Sequence, residues 1–168
     1  MSQADKTTSN LQEAFAGESQ ANRKYLAFAK QADSEGFPQI AKLFRAAAEA
    51  ETVHAHAHLK VMGGIKSTRE NLLSAIDGET HEFKSMYPAM IAEAEQAGNS
   101  AAVRTFKFAN EVEKVHADLY AKALADMGKE GEVFDYFVCS ICGHTVEKEA
   151  PEKCMVCGAG SKAFIRVA

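Results

Sequence analysis

The stretches Glu51-Thr-Val-His54 and Glu113-Lys-Val-His116 place a carboxylate and an imidazole three residues apart, twice in one chain. On a helix, residues at this spacing lie on one face, so both side chains can reach the same metal ion. A Gly-Glu pair stands upstream of each stretch, at Glu18 and at Glu79, and can supply a carboxylate from a second helix. This ligand set is typical of a di-iron or di-manganese site inside a four-helix bundle.

Apolar residues at helical spacing predict four helices, and the short loops predict antiparallel neighbours. The predicted helices cover residues 9–34, 38–62, 67–97 and 99–127. Ser67 and Glu70 have the spacing of a capping box at the start of the third helix. Pro88 lies inside that helix and cannot donate a backbone hydrogen bond, so we expect a kink or a short break near residues 87–88. Such a break would either bend the helix around the core or aim the ligands upstream of it.

The two Glu-x-x-His stretches belong to an internal repeat. Residues 43–55 align with residues 105–117, and the two Gly-Glu pairs align as well. Two helical hairpins related by an approximate two-fold axis would therefore present two matching ligand sets. These are Glu18, Glu51 and His54 in the first hairpin and Glu79, Glu113 and His116 in the second.

Glu82 breaks this repeat, because the corresponding positions of the first hairpin hold Gln20 and Ala21. It lies three residues after Glu79 and therefore on the same helical face. With Glu82 there are five carboxylates. The magnitude of their total negative charge lies between the positive charge of two Fe(II) ions and that of two Fe(III) ions. One metal would then have an environment unlike that of the other.

The alternative for these carboxylates is a solvated helix surface, which is what we expect of Glu49 and Glu111. Glu18, Glu79 and Glu82 stand instead among Ala, Gly, Ile and Phe. Burying unpaired carboxylates costs several kcal/mol each, which favours a metal site. For Tyr25 and Tyr87 two interpretations stay open, namely core aromatics or hydrogen-bonding neighbours of the ligands.

The four cysteines form two knuckles, Cys139-Ser-Ile-Cys142-Gly143 and Cys154-Met-Val-Cys157-Gly158. Two such knuckles can close a tetrahedral four-thiolate site, which suits zinc and iron equally. The residues after Gly131 predict a small β-rich domain that needs such a site to fold. The predicted division is a helical bundle at 1–130 and a cysteine domain at 131–168.

The composition excludes several classes of protein. The formal net charge of −4 and the pI of about 5.9 argue against a nucleic-acid-binding surface. No stretch is apolar enough for a signal peptide or a membrane span, so we expect a cytoplasmic protein. A reducing cytosol also favours metal binding over disulfides.

Taken together, these motifs resemble the rubrerythrin family over essentially the whole chain. The segments that carry the resemblance are Ala16-Gly-Glu-Ser-Gln-Ala21, Ala48-Glu-Ala-Glu-Thr-Val-His54, Gly78-Glu-Thr-His-Glu82, Met86-Tyr-Pro88, Glu111-Val-Glu-Lys-Val-His116 and the two cysteine knuckles. The resemblance implies a ferritin-like di-iron four-helix bundle followed by a rubredoxin-like Fe(Cys)4 domain. It also implies a peroxidase that reduces hydrogen peroxide to water, with electrons passing from reduced pyridine nucleotide through a reductase to the Fe(Cys)4 site.

The resemblance further implies a role for each ligand. Glu51 and Glu113 would bridge the irons, Glu18 and Glu79 would be terminal ligands, and His116 would hold one iron. The other iron would be bound by Glu82 when oxidised and by His54 when reduced. A homodimer or a higher homo-oligomer is expected, and the resemblance implies that the cysteine domain of one chain approaches the bundle of another.

Two other functions compete with the peroxidase. A ferritin-like iron oxidase or storage protein would have a similar bundle, although storage gains nothing from a thiolate electron carrier. A zinc-ribbon interaction module attached to a metal bundle would have no redox role. The colour of the pure protein separates this last hypothesis from the first, since ferric thiolate is red and zinc thiolate is colourless.

Overall fold

The computed structural model describes residues 3–167, which fall into two compact units, Met1–Lys66 and Ser67–Ala168. The fold is mainly α-helical with a small C-terminal sheet, as predicted. Among the described residues, no helix is long and apolar enough to cross a membrane. The outermost positions of the predicted domains, residues 1, 2 and 168, lie outside the described part, and the division at residue 130 stays a prediction.

The first unit is a hairpin of two long helices, α1 (Gln3–Ser34) and α2 (Pro38–Val61). Gly36 ends α1 in the left-handed region at φ +80°, and Phe37 N–H donates to the carbonyl of Ala32 over 2.8 Å. Pro38 is the first residue of α2, where a backbone N–H would have no acceptor within the helix, so its absence does not destabilise the helix. Helix α1 begins at residue 3, six residues before the predicted start at residue 9. The polar residues of this stretch extend the helix into solvent instead of capping it.

Alanines pack the two helices of the first unit against each other. The buried ones are Ala29 and Ala32 on α1 and Ala41, Ala48 and Ala55 on α2. The seven-residue spacing on α2 keeps its alanines on one face, and their small side chains let the helices approach closely. The amide of Asn22 crosses the seam and donates to the carbonyl of Ala48 over 2.7 Å. The seam fixes which residues of α1 and α2 face each other.

The second unit begins with helix α3 (Thr68–His81), which is followed by a π-helical segment (Glu82–Met86) and helix α4 (Tyr87–Gln96). The predicted capping box is present: Glu70 N–H donates to Ser67 Oγ, and Ser67 N–H donates to the carboxylate of Glu70. The predicted irregularity is also present, although it precedes residues 87–88. The π-helical segment lets Pro88 fall in the first turn of α4, where no N–H is needed.

The second unit continues with helix α5 (Ser100–Asp126), which Asn99 caps by accepting a hydrogen bond from Ala102 N–H. A three-stranded antiparallel sheet of order β2-β1-β3 follows. Its strands are β1 (Tyr136–Cys139), β2 (Thr145–Glu147) and β3 (Phe164–Val167), with a 3₁₀ turn at Ser161–Ala163. The most buried side chains of this region include Cys139, Cys154 and His144, so polar and thiol groups stand where a larger domain has its apolar core.

Candidate metal centres

The first hairpin brings together Glu18 of α1 with Glu51 and His54 of α2, which we call the first triad. One ligand atom of each lies within 4.8 Å of the others. Nδ1 of His54 is 2.9 Å from Oε2 of Glu51 and 4.0 Å from Oε1 of Glu18. The i,i+3 spacing on α2 aligns two of the groups, and the alanine seam brings the third from the facing helix.

The second unit builds a matching second triad from Glu79 of α3 with Glu113 and His116 of α5. The ligand atoms again lie within 4.8 Å of one another. Nδ1 of His116 is 2.8 Å from Oε2 of Glu113 and 3.8 Å from Oε1 of Glu79. Each unit thus contains the two carboxylates and one imidazole predicted from the repeat. That these groups bind metal stays a prediction for the individual residues.

The second triad carries more negative charge than the protein alone compensates. Burial raises the pKa of Glu79 to about 7, the neighbouring Glu113 and Glu82 carboxylates add to the rise, and His116 opposes it. A bound divalent cation would replace the proton that such a carboxyl otherwise retains. The donor set of carboxylate oxygens and an imidazole nitrogen suits iron and manganese.

Both ring nitrogens of His116 have polar neighbours. Thr145 Oγ1 donates its one proton to the carbonyl of Gly143 over 3.1 Å, and it lies 3.0 Å from Nε2 of His116. Nε2 of His116 therefore contacts a hydroxyl oxygen that β2 holds in place. Nδ1 faces Glu113 and Glu79 on the other side of the ring, where a shared metal ion would bind.

Sequence reasoning missed Thr145. It lies on β2, 29 residues from His116, and a threonine after a cysteine knuckle has no distinctive pattern. His54 in the first triad has no comparable restraint: among the described residues its Nε2 has no hydrogen-bond partner, and its side chain is 55% exposed against 27% for His116. The two triads therefore match in their ligands but not in the groups that hold them.

Glu82 is the first residue of the π-helical segment and lies close enough to Glu79 to raise the pKa of that carboxyl. It is not among the three groups of the second triad that lie within 4.8 Å of one another. Burial raises the pKa of Tyr87, and the charges of Glu113, Glu82 and Glu79 raise it further. The phenol of Tyr87 thus faces the carboxylates, which favours the interpretation of Tyr87 as a neighbour of the ligands.

Tyr25 lies in an aromatic cluster of the first hairpin. Its ring centroid is 6.3 Å from that of Phe28 and 6.1 Å from that of Phe44. These contacts are those of a core aromatic residue. A hydrogen bond between Tyr25 and the first triad stays a prediction.

The four cysteines form a third cluster, with their sulfurs within 4.8 Å of one another and no disulfide. Sγ of Cys139 is 3.7 Å from Sγ of Cys157, and Sγ of Cys142 is 3.6 Å from Sγ of Cys154. A tetrahedral ion with metal–sulfur bonds of about 2.3 Å places its sulfurs about 3.8 Å apart. The cluster therefore fits one tetrahedral ion.

Backbone N–H groups face the sulfurs, and a glycine follows each knuckle. Gly143 and Gly158 have φ +86° and +77°, which only glycine adopts readily. Burial raises the pKa of the Cys154 thiol, but hydrogen bonds from the N–H groups of Cys157 and Val156 outweigh burial and bring it to about 7. These bonds stabilise the Cys154 thiolate, which is the form that binds a metal, whereas burial raises the pKa of the Cys142 thiol.

Comparison with known families matches both parts of the chain. The family model described as rubrerythrin matches residues 9–124, and the model described as rubrerythrin, rubredoxin-like domain, matches residues 137–165. The first model alone spans more than half of the chain.

Individual proteins match over nearly the full length. Rubrerythrin-2 of Clostridium acetobutylicum is 34% identical and aligns with 94% of this chain and 95% of its own length. Nigerythrin of Nitratidesulfovibrio vulgaris is 38% identical, over 90% of this chain and 81% of its own. A structure of fully reduced, all-ferrous nigerythrin superposes with a TM-score of 0.59 at 36% identity, covering 96% of this chain and 86% of that one.

Proposed function

The chain belongs to the rubrerythrin family of oxidative-stress di-iron oxidoreductases, and we propose that it is a non-haem di-iron peroxidase that reduces hydrogen peroxide to water. Its cofactors are those of the family, a di-iron carboxylate site and an iron in the four-cysteine site. One observation carries the proposal: a single chain combines two triads of oxygen and nitrogen ligands with a four-thiolate site. The first set suits peroxide chemistry and the second suits one-electron transfer.

The reaction consumes two electrons and two protons for each peroxide, whose O–O bond breaks to give two waters. A bound pair of ferrous irons would supply the two electrons, one from each iron on its change from Fe(II) to Fe(III). The protein has to bind both irons in both oxidation states, leave room for peroxide, and deliver protons. In this proposal Glu51 and Glu113 would be shared between the two irons, and Glu18 and Glu79 would each hold one.

The two histidines have different roles in this proposal. His116 would stay bound in both oxidation states, which the contact of its Nε2 with Thr145 Oγ1 supports by restraining the ring. His54 would bind iron in the reduced state, and Glu82 would replace it in the oxidised state. The greater exposure of His54 and the position of Glu82 at the start of a π-helical segment support mobile ligands at these two positions.

Tyr87 is the proposed hydrogen-bonding group for bound peroxide in the second unit. Burial and three neighbouring carboxylates raise the pKa of Tyr87, so the phenol keeps its proton near neutral pH and can donate a hydrogen bond. Tyr25 is proposed for the same role near the first triad, because it follows Glu18 by seven residues on the same helical face.

Electrons reach the four-thiolate site from outside the chain. We propose a rubredoxin or an NAD(P)H-linked reductase as the donor, a homodimer as the working form, and the cytoplasm as its location. The exposed cysteine knuckles support this entry point, since Ile141 is 58% exposed and Met155 is 82% exposed. Two apolar side chains beside a redox centre are suited to a transient contact with a partner protein.

The test separates peroxide chemistry from electron supply. Cys142→Ser removes one thiolate and should abolish reduction of the iron pair by an external donor, whereas chemically pre-reduced protein should still consume one peroxide per iron pair. Ser140→Ala is the matched control, because Ser140 is an exposed residue of the same knuckle. If pre-reduced protein reacts rapidly with dioxygen, leaves peroxide intact and accumulates iron beyond its own sites, the chain is an iron oxidase or storage protein instead.

A further inference from the structure

Helix α2 has two histidines beyond the first triad, His56 and His58, and one of them continues the line of ligands. Glu51, His54 and His58 follow one another at spacings of three and four residues, so all three lie on one face of α2. His56 lies on the far side of the helix, where it lines a cavity together with Arg23. The ligands of the first triad are therefore followed by one more imidazole, one helical turn further along α2.

The pair His54 and His58 has the spacing of a metal-binding pair. Two histidines four residues apart on a helix can bind one divalent ion between their imidazoles, as in helical zinc sites. Each Cα–Cβ bond of a helix is tilted toward the N-terminus, so the half-buried side chain of His58 leans toward His54. Nδ1 of His54 faces Glu51 at 2.9 Å, which leaves the exposed edge of the ring, with Nε2, for an ion that arrives from solvent.

The place of this pair on α2 also favours a cation. His58 lies in the last turn of the helix, and its carbonyl accepts a hydrogen bond from Met62 N–H over 3.0 Å, so the helix is regular up to this end. The C-terminal end of a helix carries a partial negative charge that stabilises a cation in the last turn. Lys60, the other basic residue of this turn, is two positions further on and therefore points away from the pair.

The internal repeat provides no second copy of this pair. The register that aligns His54 with His116 places Tyr120 at the position of His58. A phenol keeps its proton near neutral pH and does not offer a divalent ion the lone pair that an imidazole offers. The outer imidazole is therefore confined to the hairpin whose triad is the more exposed of the two.

We propose that His54 and His58 form an outer site for a divalent cation, at which Fe(II) binds before it passes to the first triad. Imidazole nitrogens bind Fe(II) as well as zinc, nickel and copper. Because both sites use His54, one ion cannot be fully bound at each, so the outer site is a stage in metal uptake. The transfer exchanges His58 for the carboxylates of Glu51 and Glu18 while the exposed ring of His54 turns inward, and the iron stays Fe(II) throughout. This inference rests on metal binding at the first triad and not on the peroxidase proposal.

The first experiment tests the outer site with a metal chelate. Cu(II)-nitrilotriacetate has few coordination positions left, so it can bind an exposed pair of imidazoles but not the three converging ligands of a triad. Protein with zinc in the four-cysteine site and with metal-free triads is titrated near pH 8, where imidazole is neutral, and the bound copper is followed by EPR.

Wild type should bind the chelate through two imidazole nitrogens, and His58→Gln should bind it about a hundredfold more weakly, because only one imidazole remains. His56→Gln is the matched control, since it removes an exposed histidine from the other side of the same helix, and it should bind like wild type. Equal affinity of wild type and His58→Gln would overturn the outer site.

The second experiment tests the passage of Fe(II) to the triad. Without dioxygen, protein with metal-free triads is mixed with less Fe(II) than it can bind, and a ferrous chelator added after increasing times measures the iron that the protein has sequestered. His58→Gln should sequester iron about tenfold more slowly than wild type and His56→Gln, because the outer site raises the local concentration of Fe(II) beside the triad. All three proteins should reach the same final iron content, since both triads are intact.

Equal rates in the three proteins would overturn the role of His58 in uptake. A lower final iron content of His58→Gln would overturn it as well, because His58 would then be a permanent ligand. Neither experiment uses peroxide. If pre-reduced wild-type protein fails to consume peroxide, the peroxidase proposal is wrong, while the chelate titration and the uptake rates still decide whether the outer site exists.

Discussion

Substitution of Glu79 by glutamine should change the stability of the protein in opposite directions with and without metal. Burial raises the pKa of Glu79 from 4.5 to about 7 in the metal-free protein. Between these values the folded protein keeps a proton that the unfolded chain releases, so the free energy of unfolding falls as the pH rises. Above pH 7 this decrease in the free energy of unfolding is complete. It amounts to about 3 kcal/mol, at about 1.4 kcal/mol per pKa unit.

Glutamine has the shape of the carboxyl without its charge, so it avoids this loss. Urea unfolding of chelated protein, followed by helical circular dichroism, should find Glu79→Gln more stable than wild type by up to about 3 kcal/mol near pH 8 and equally stable near pH 4.5. With metal bound the order should reverse, because the variant has lost a ligand. Glu93→Gln, at an exposed position of α4, is the control and should show no such pH dependence. A Glu79→Gln effect that is the same at both pH values would refute the buried-carboxylate argument.

Other consequences of the site can be measured directly. Chelation should lower the melting temperature of the sheet region most, because its buried groups are thiolates and not an apolar core; equal melting of chelated and metal-loaded protein would contradict this. Glu82→Ala should still bind two irons, since both triads remain, but should lose peroxide turnover and resist reoxidation. Crystal structures of the oxidised and reduced wild type should show a change of ligand between Glu82 and His54, and identical ligands in both states would rule the exchange out.

The sequence was informative about elements whose signals are local. The capping box at Ser67 and the thiolate knuckles depend on residues close together in the chain, and each has the expected structure. The start of α1 was placed six residues too late (9 against 3), because polar residues can either cap a helix or continue it. Pro88 predicted an irregular turn but not that the turn is π-helical. A proline shows only that its own backbone has no N–H to donate to the preceding turn.

The site was predictable to the extent that helical periodicity determines it. The i,i+3 spacing places Glu113 beside His116, and the repeat identifies the corresponding residues of the first triad. Thr145 could not be found in this way, because its contact with His116 joins a strand to a helix and depends on how the sheet packs. Long-range contacts of single polar side chains have no periodic signal in the sequence.

The internal repeat has consequences beyond duplicating the ligands. Two identical triads would bind two metals in the same way, and neither metal would have a reason to change its ligands first. The structure makes them unequal through groups outside the repeat: Thr145 holds the second ring nitrogen of His116, whereas among the described residues nothing holds that of His54. Glu82 adds a carboxylate in a π-helical segment of the second unit alone. Thr145 and Glu82 are therefore both departures from the repeat, and they give the ligands of the second unit neighbours that the matching residues of the first triad do not share, before any metal binds.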